Sequence, residues 1–188
     1  MPPVVHEFDW PDRVVVGTVG RPGERTFYLQ ARSGARSTSV VLEKEQSAVL
    51  ADKIDEMLRV LDADPASGVS VPATTPAELI DDDPLDLPVE EEFRVGIMRL
   101  GWEPRTSQVV IEAFPLPEVP DDDGAELTFD DDATDEPDEV LVVRIPVGTA
   151  RAFVQRTRQV VLAGRPGCPF CGEPVDPDGH TCAPPRAV

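Results

Sequence analysis

Arg13-Val14-Val15-Val16-Gly17-Thr18-Val19-Gly20-Arg21-Pro22-Gly23-Glu24-Arg25-Thr26 and Arg94-Val95-Gly96-Ile97-Met98-Arg99-Leu100-Gly101-Trp102-Glu103-Pro104-Arg105-Thr106 can be laid over one another in outline, with a one-residue difference in the turn. Each opens on an arginine, runs through β-branched and apolar residues broken by glycine, and closes on a proline-bearing turn followed by Arg-Thr. Such runs fit a pleated surface and read as strands. In Gly20-Arg21-Pro22-Gly23 the proline presets φ and the glycines accept positive φ, which is the chemistry of a tight turn.

Working outward from the first copy, Val4 to Phe8, Thr26 to Ala31 and Ser39 to Leu42 carry the same strand signal, and Ser33-Gly34-Ala35 supplies another turn. The first two strands should pair with their neighbours as antiparallel hairpins. From about Glu43 the period changes. Val49, Leu50, Ile54, Met57, Leu58 and Leu61 recur at three- and four-residue spacing, with Glu45, Asp52, Lys53, Glu56 and Arg59 opposite them, until Asp64-Pro65 ends the pattern. This predicts an amphipathic helix lying on a sheet. The second copy repeats the order. Phe93 to Leu100, Gln108 to Phe114 and Val140 to Ile145 read as strands, and a helix follows over Val147 to Ala163 with Ala150, Phe153, Val154, Thr157 and Val161 inward and Gly164 placed to end it. The predicted fold class is α+β: a duplicated β-β-β-α unit forming an antiparallel sheet with two helices, plus a small C-terminal zinc knuckle. The organisation read from this is a first half over 1–64 with an extra N-terminal strand, an acidic proline-rich linker over 65–88, a second half over 89–164 containing an acidic loop at 117–139, and a zinc-binding tail over 165–188.

A formal charge of −19 would suggest an acidic surface everywhere, but its distribution says otherwise. Residues 62–88 hold seven acidic side chains and no basic one, and residues 117–139 hold twelve and none; the remainder balances. Both segments are poor in apolar residues and so have little to bury against the entropy of ordering them. They read as solvated loops that keep the protein soluble and repel nucleic acid from that side. There is no apolar run long enough to cross a membrane and no basic-plus-apolar leader at the N-terminus, so the expectation is a cytoplasmic protein without a membrane partner.

All three cysteines fall within one short C-terminal stretch, Cys168-Pro169-Phe170-Cys171 and then His180-Thr181-Cys182. Two cysteines separated by two residues and followed by Gly172 make a bend whose backbone N–H groups point at the first sulfur. Asp176-Pro177-Asp178-Gly179 is a turn that brings the chain back. Cys168, Cys171, His180 and Cys182 would then close a tetrahedron of thiolate and imidazole around Zn2+, with no position left for water. The site reads as structural, and without the ion the tail has too few apolar residues to order itself. The competing reading is a thiol-rich tail without metal.

Between Val140 and Gly172 lie Arg144, Arg151, Arg156, Arg158 and Arg165 and no acid. Arg151, Arg156 and Arg158 on the helix, with Arg186 beyond, could contact a partner or phosphate. Equally they could face the acidic segment at 117–139, or be an ordinary solvated helix face. His6 is the one histidine outside the metal motif, and a lone histidine on a strand is more often structural. Glu90-Glu91-Glu92 and Glu112 offer carboxylates without marking one pair above the rest. Gly17, Gly20 and Gly23 are hairpin glycines, and Trp10 and Trp102 read as core or turn-covering aromatics.

The chain resembles an actinobacterial family catalogued as a domain of unknown function, number 3090. The resemblance rests on Pro11-Asp12-Arg13 with Gly17-Thr18-Val19-Gly20, Arg25 to Ala31, Leu42-Glu43-Lys44, Glu91 to Gly96, Val110 to Ala113, Ala150 to Phe153 and the terminal Cys-Pro-x-Cys to His-x-Cys motif. It covers nearly the whole chain and implies no activity. The leading expectation, reached largely by elimination, is a cytoplasmic zinc-binding adaptor for a protein partner, with enzymatic activity left open. The alternatives are a nucleic-acid-binding protein using the arginine helix and zinc module, and a carboxylate-dependent hydrolase. Oligomeric state has no signature in the sequence.

Overall fold

The computed structural model describes residues 3–116, 138–164, 168–171, 175, 179, 181 and 182. Apart from Asp138 and Glu139, the acidic loop predicted at 117–139 lies outside them, as do Arg165 and Arg186. Seven strands and two helices follow one another in the predicted sequence: β1 (Val4–Asp9), β2 (Arg13–Val19), β3 (Thr26–Ser33), β4 (Arg36–Leu42), α1 (Lys44–Ala63), β5 (Glu91–Glu103), β6 (Gln108–Pro115), β7 (Glu139–Pro146) and α2 (Val147–Leu162).

The strands form one sheet in the order β1-β7-β6-β5-β4-β3-β2. β2, β3 and β4 make an antiparallel meander, and so do β5, β6 and β7. The turn between β2 and β3 takes its positive φ at Gly20 and Gly23, where a side chain would be strained. Two seams depart from the all-antiparallel expectation: β4 pairs with β5, and β1 with β7, in parallel. The reason is directional. After the first meander α1 carries the chain back, so that β5 starts at the end of the sheet where β4 started and runs parallel to it. β1 correspondingly forms no hairpin with β2; it lies on the outer edge of β7, with Phe8 opposite Val143. Trp10, Pro11 and Asp12 alone join two strands at opposite ends of the order, so the sheet must coil strongly. At that corner Arg36 donates to the carbonyl of Glu7 and stands over the Phe8 ring, and the N–H of Gly34 donates to Asp12 Oδ2 at 2.6 Å.

β5 is the hinge of the coil. Its start pairs with β4 and its later part with β6, and its register slips between Val95 and Ile97. A β-carbon on Gly96 would stand 2.7 Å from Leu116 Cα, whose own N–H bonds the carbonyl of Arg94 at 2.9 Å. Backbone cannot yield as a side chain tip does. Gly96→Ala is expected to cost about 1–3 kcal/mol, the range for forced overpacking, measured as a lowered urea midpoint.

One face of the sheet carries the core. Phe8, Val14, Val16, Leu29, Val40, Leu42, Val95, Ile111, Leu141, Val143 and Ile145 alternate inward, and Leu50, Ile54, Leu58, Ala150, Phe153 and Val154 cover them from the two helices, which pack on each other. Each large side chain so buried contributes roughly 1.5–3 kcal/mol. Val49, predicted on the inner face of α1, is exposed, and its place is taken by Ser47, whose hydroxyl bonds the carbonyl of Glu43.

The first acidic segment departs most from its reading. Residues 65–88 are largely exposed, as expected of a solvated segment, yet they are tied to the body along the outer edge of β2, from the helix face to the opposite face. Val71 enters the core, Leu79 rests near Gly148, and Leu85 is buried against Gly17. Gln30, fully buried, then exchanges two hydrogen bonds with the backbone of Asp86, at 2.8 and 3.1 Å. We refer to this segment as the strap. It protects an edge that would otherwise offer unpaired N–H and C=O groups.

Candidate metal centre and arginine cluster

Beyond α2 the chain enters the predicted knuckle at Cys168. The N–H of Phe170 points at Cys168 Sγ, 3.4 Å away, as the Cys-x-x-Cys bend requires. Cys168 and Cys182 stand 3.9 Å apart sulfur to sulfur, and the sulfurs of Cys168, Cys171 and Cys182 all lie within 4.8 Å of one another. A tetrahedral ion with bonds of about 2.3 Å has sulfur-to-sulfur edges of about 3.8 Å, so this cluster is close to ligand geometry. His180 lies outside the described residues. Backbone N–H groups of Cys171 and Phe170 pull the Cys168 thiol down to about 7, which gives it thiolate character near neutral pH. The Cys182 thiol goes the other way, to about 11, through hydrogen bonding with Cys171 followed by burial and the neighbouring sulfur charges. Three sulfurs this close cannot all ionise cheaply without a cation, and a divalent ion removes that conflict. Three close cysteines at the C-terminus can therefore hold a metal.

The arginines of α2 are each engaged by carboxylates. Arg151 spans to Asp55 Oδ1 on α1 at 2.6 Å and to the carbonyl of Pro72 at 3.2 Å. Arg158 reaches Asp52 and Asp55 at 2.8 and 3.3 Å. Burial pushes the Asp55 carboxyl up, but hydrogen bonds from Arg158 and Arg151 outweigh it and hold it below its ordinary value. Both acids belong to α1, and residues 117–137, the other segment these arginines could face, lie outside the described residues.

Arg156 is different in kind, because only 8% of it is exposed. It donates to the carbonyl of Val16 on the edge of β2 at 3.1 Å, to the carbonyl and carboxylate of Asp81, and to the carbonyl of Asp83 at 2.6 Å. Burial draws its pKa down while Asp81 opposes the change. From the other side Arg13 clamps the same carboxylate, with bonds of 2.6 and 2.9 Å to Asp81, and also reaches Asp86 and the carbonyls of Asp83 and Pro84. Arg13 and Asp81 have no place in the sequence reading of candidate sites. Arg156, three residues after Phe153, falls on the inward stripe of α2, and that spacing is the signal that marks it as buried.

Asp81 links this cluster to pH. Hydrogen bonding to Arg13 is the main cause that lowers its pKa from the ordinary 3.8, so its contribution is fully present above the unfolded value and is lost as pH falls through the lower folded value. The stability gap between the native chain and Asp81→Asn is therefore expected to be constant between about pH 5 and 7 and to narrow below about pH 4, in urea titrations at a series of pH values.

No helix among the described residues is long and apolar enough to cross a membrane. Residues 6–182 match the model of a family described as a protein of unknown function, DUF3090. No curated protein and no solved structure matches the chain.

Proposed function

The chain belongs to the DUF3090 family of proteins of unknown function, and from that premise we propose that its C-terminal cysteines hold a structural zinc ion, in a cytoplasmic module that docks a protein partner. The observation that carries this reading is the convergence of Cys168, Cys171 and Cys182 within 4.8 Å. Thiolates favour Zn2+ over harder cations, and His180 is the fourth ligand supplied by the spacing of the sequence. Four protein ligands leave no coordination position for substrate, which favours a structural over a catalytic role.

The knuckle also gives the module a contact. Phe170, between the first two cysteines, is 84% exposed, and an aromatic ring held out on a metal-stiffened turn suits the centre of a protein interface. A nucleic-acid contact through Arg151, Arg156 and Arg158 draws less support, since it would have to displace Asp55, Asp52 and Asp81 from those guanidiniums. The parallel order of the two β-β-β-α halves supports an origin by duplication, with β1 standing against β7 as β5 stands against β4.

Purified, tag-free protein is expected to carry one equivalent of zinc by elemental analysis, and cobalt substitution should give the charge-transfer absorption of thiolate ligands. The double variant Cys168→Ser/Cys171→Ser should lose both. Phe170→Ala should keep the metal but lose the stoichiometric partner that copurifies in moderate salt. Native protein free of transition metal would end the zinc reading, and a partner retained equally by Phe170→Ala would end the docking role.

A further inference from the structure

A second group of ligating side chains meets at the end of the sheet where β1, β5 and β7 begin. His6 Nε2 and Glu139 Oε1 are 2.7 Å apart, and a carboxylate oxygen of Glu92 lies within 4.8 Å of both. Three separate strands supply them. Glu139 is the first residue of β7, and His6 sits two residues beyond its partner in the parallel pairing of β1 with β7. Glu92 comes from β5, three positions along the sheet from β1. It reaches them because β6, which lies between, ends at Pro115 opposite Val95 and so does not screen the first residues of β5.

An ordinary strand-to-strand ion pair explains His6 with Glu139 and nothing more. It does not explain a second carboxylate at the same point. Among the described residues neither Glu92 nor Glu139 is paired with an arginine or lysine; the nearby Arg94 and Arg144 are taken by Glu43 and Glu7. Two carboxylates converging on one imidazole make a donor set of excess negative charge, which a divalent ion neutralises more fully than a single imidazolium can.

We propose that His6, Glu92 and Glu139 form a binding site for a first-row divalent cation of the Mn2+ or Fe2+ class, separate from the cysteine cluster. One imidazole nitrogen and two carboxylate oxygens make a harder donor set than three thiolates, so the two sites select different ions. With metal–ligand bonds of about 2.1 Å, donors on one face of an octahedral ion stand about 3 Å apart. His6 and Glu139 already approach that separation, and rotation of the exposed Glu92 side chain supplies the third contact. Nε2 then offers a lone pair to the ion. Three protein ligands leave the remaining coordination positions to water, unlike the closed cysteine site.

Manganese(II) chloride added to the purified, tag-free chain tests this. Because the acidic segment at 117–139 also attracts Mn2+, the deciding readout is nitrogen modulation in the electron spin echo of the bound ion, which carboxylates alone cannot give. One bound Mn2+ with imidazole modulation is expected. His6→Ala should abolish the modulation, and Glu92→Gln, at an exposed position that leaves the fold intact, should weaken binding by at least about tenfold. Absence of nitrogen modulation in the native chain, its survival in His6→Ala, or unchanged affinity in Glu92→Gln would overturn the proposal.

Discussion

Replacing Arg156 with alanine is expected to destabilise the body by about 1.5–3 kcal/mol, the range for losing hydrogen bonds made by a charged group and leaving buried acceptors unpaired. The guanidinium joins three parts of the molecule that are far apart in the chain: the edge of β2 through Val16, α2 on which it sits, and the strap through Asp81 and Asp83. Without it the Val16 carbonyl and two strap carbonyls lose donors in a place where water enters poorly. Asp81 keeps Arg13, which limits the loss. Arg156→Lys should recover only part of the difference, because one ammonium cannot reproduce a planar fork that reaches four acceptors. Urea unfolding of Arg156→Ala, Asp81→Asn and the double variant gives the coupling between them, which should be well above the scatter seen for independent sites. Hydrogen exchange should show residues 76–86 opening first. A change in stability below about 0.5 kcal/mol, the size of an ordinary surface substitution, would mean that the strap is not held by this residue.

Removal of the metal is expected to act on the tail and spare the body. A chelator, or Cys171→Ser, should make the chain beyond Gly164 susceptible to limited proteolysis while the urea midpoint of the sheet and helices stays where it was. The separation follows from the packing: among the described residues of the tail only Cys168 is buried, and none belongs to the core formed by sheet and helices. With the proposed metal bound, order there would come from coordination, which is binding free energy that a metal-free chain lacks. Losing a sulfur ligand should weaken metal binding by more than the about 10- to 100-fold typical of an outer-shell partner. A tail equally resistant with and without metal would show that something other than the ion orders it. A body that unfolds with the tail would show that the two are one cooperative unit.

Much of the fold was legible in local chemistry. The period-two runs, the glycine and proline turns, and the change to helical spacing at Glu43 and Val147 are properties of neighbouring residues, and the strands and helices stand where those signals put them. The Cys-x-x-Cys spacing likewise fixed which sulfurs meet. Other readings failed for a physical reason. An acidic run without a nearby base looks solvated, yet Asp81 is neutralised by Arg13 and Arg156, residues 68 and 75 positions away. Val49 has helical spacing and is still exposed, because which residues of α1 face inward depends on how it lies against α2.

By itself the sequence determined the elements, their order, the apolar faces and the cysteine cluster, since each of these depends on residues within some fifteen positions of one another. Only the tertiary structure decided that β1 would join β7, that the strap would seal the edge of β2, and that His6, Glu92 and Glu139 would meet. Those outcomes rest on contacts between segments far apart in the chain, made possible by the coiling of the sheet and by where β6 ends. No local pattern of charge or hydrophobicity encodes which distant partner a side chain will find.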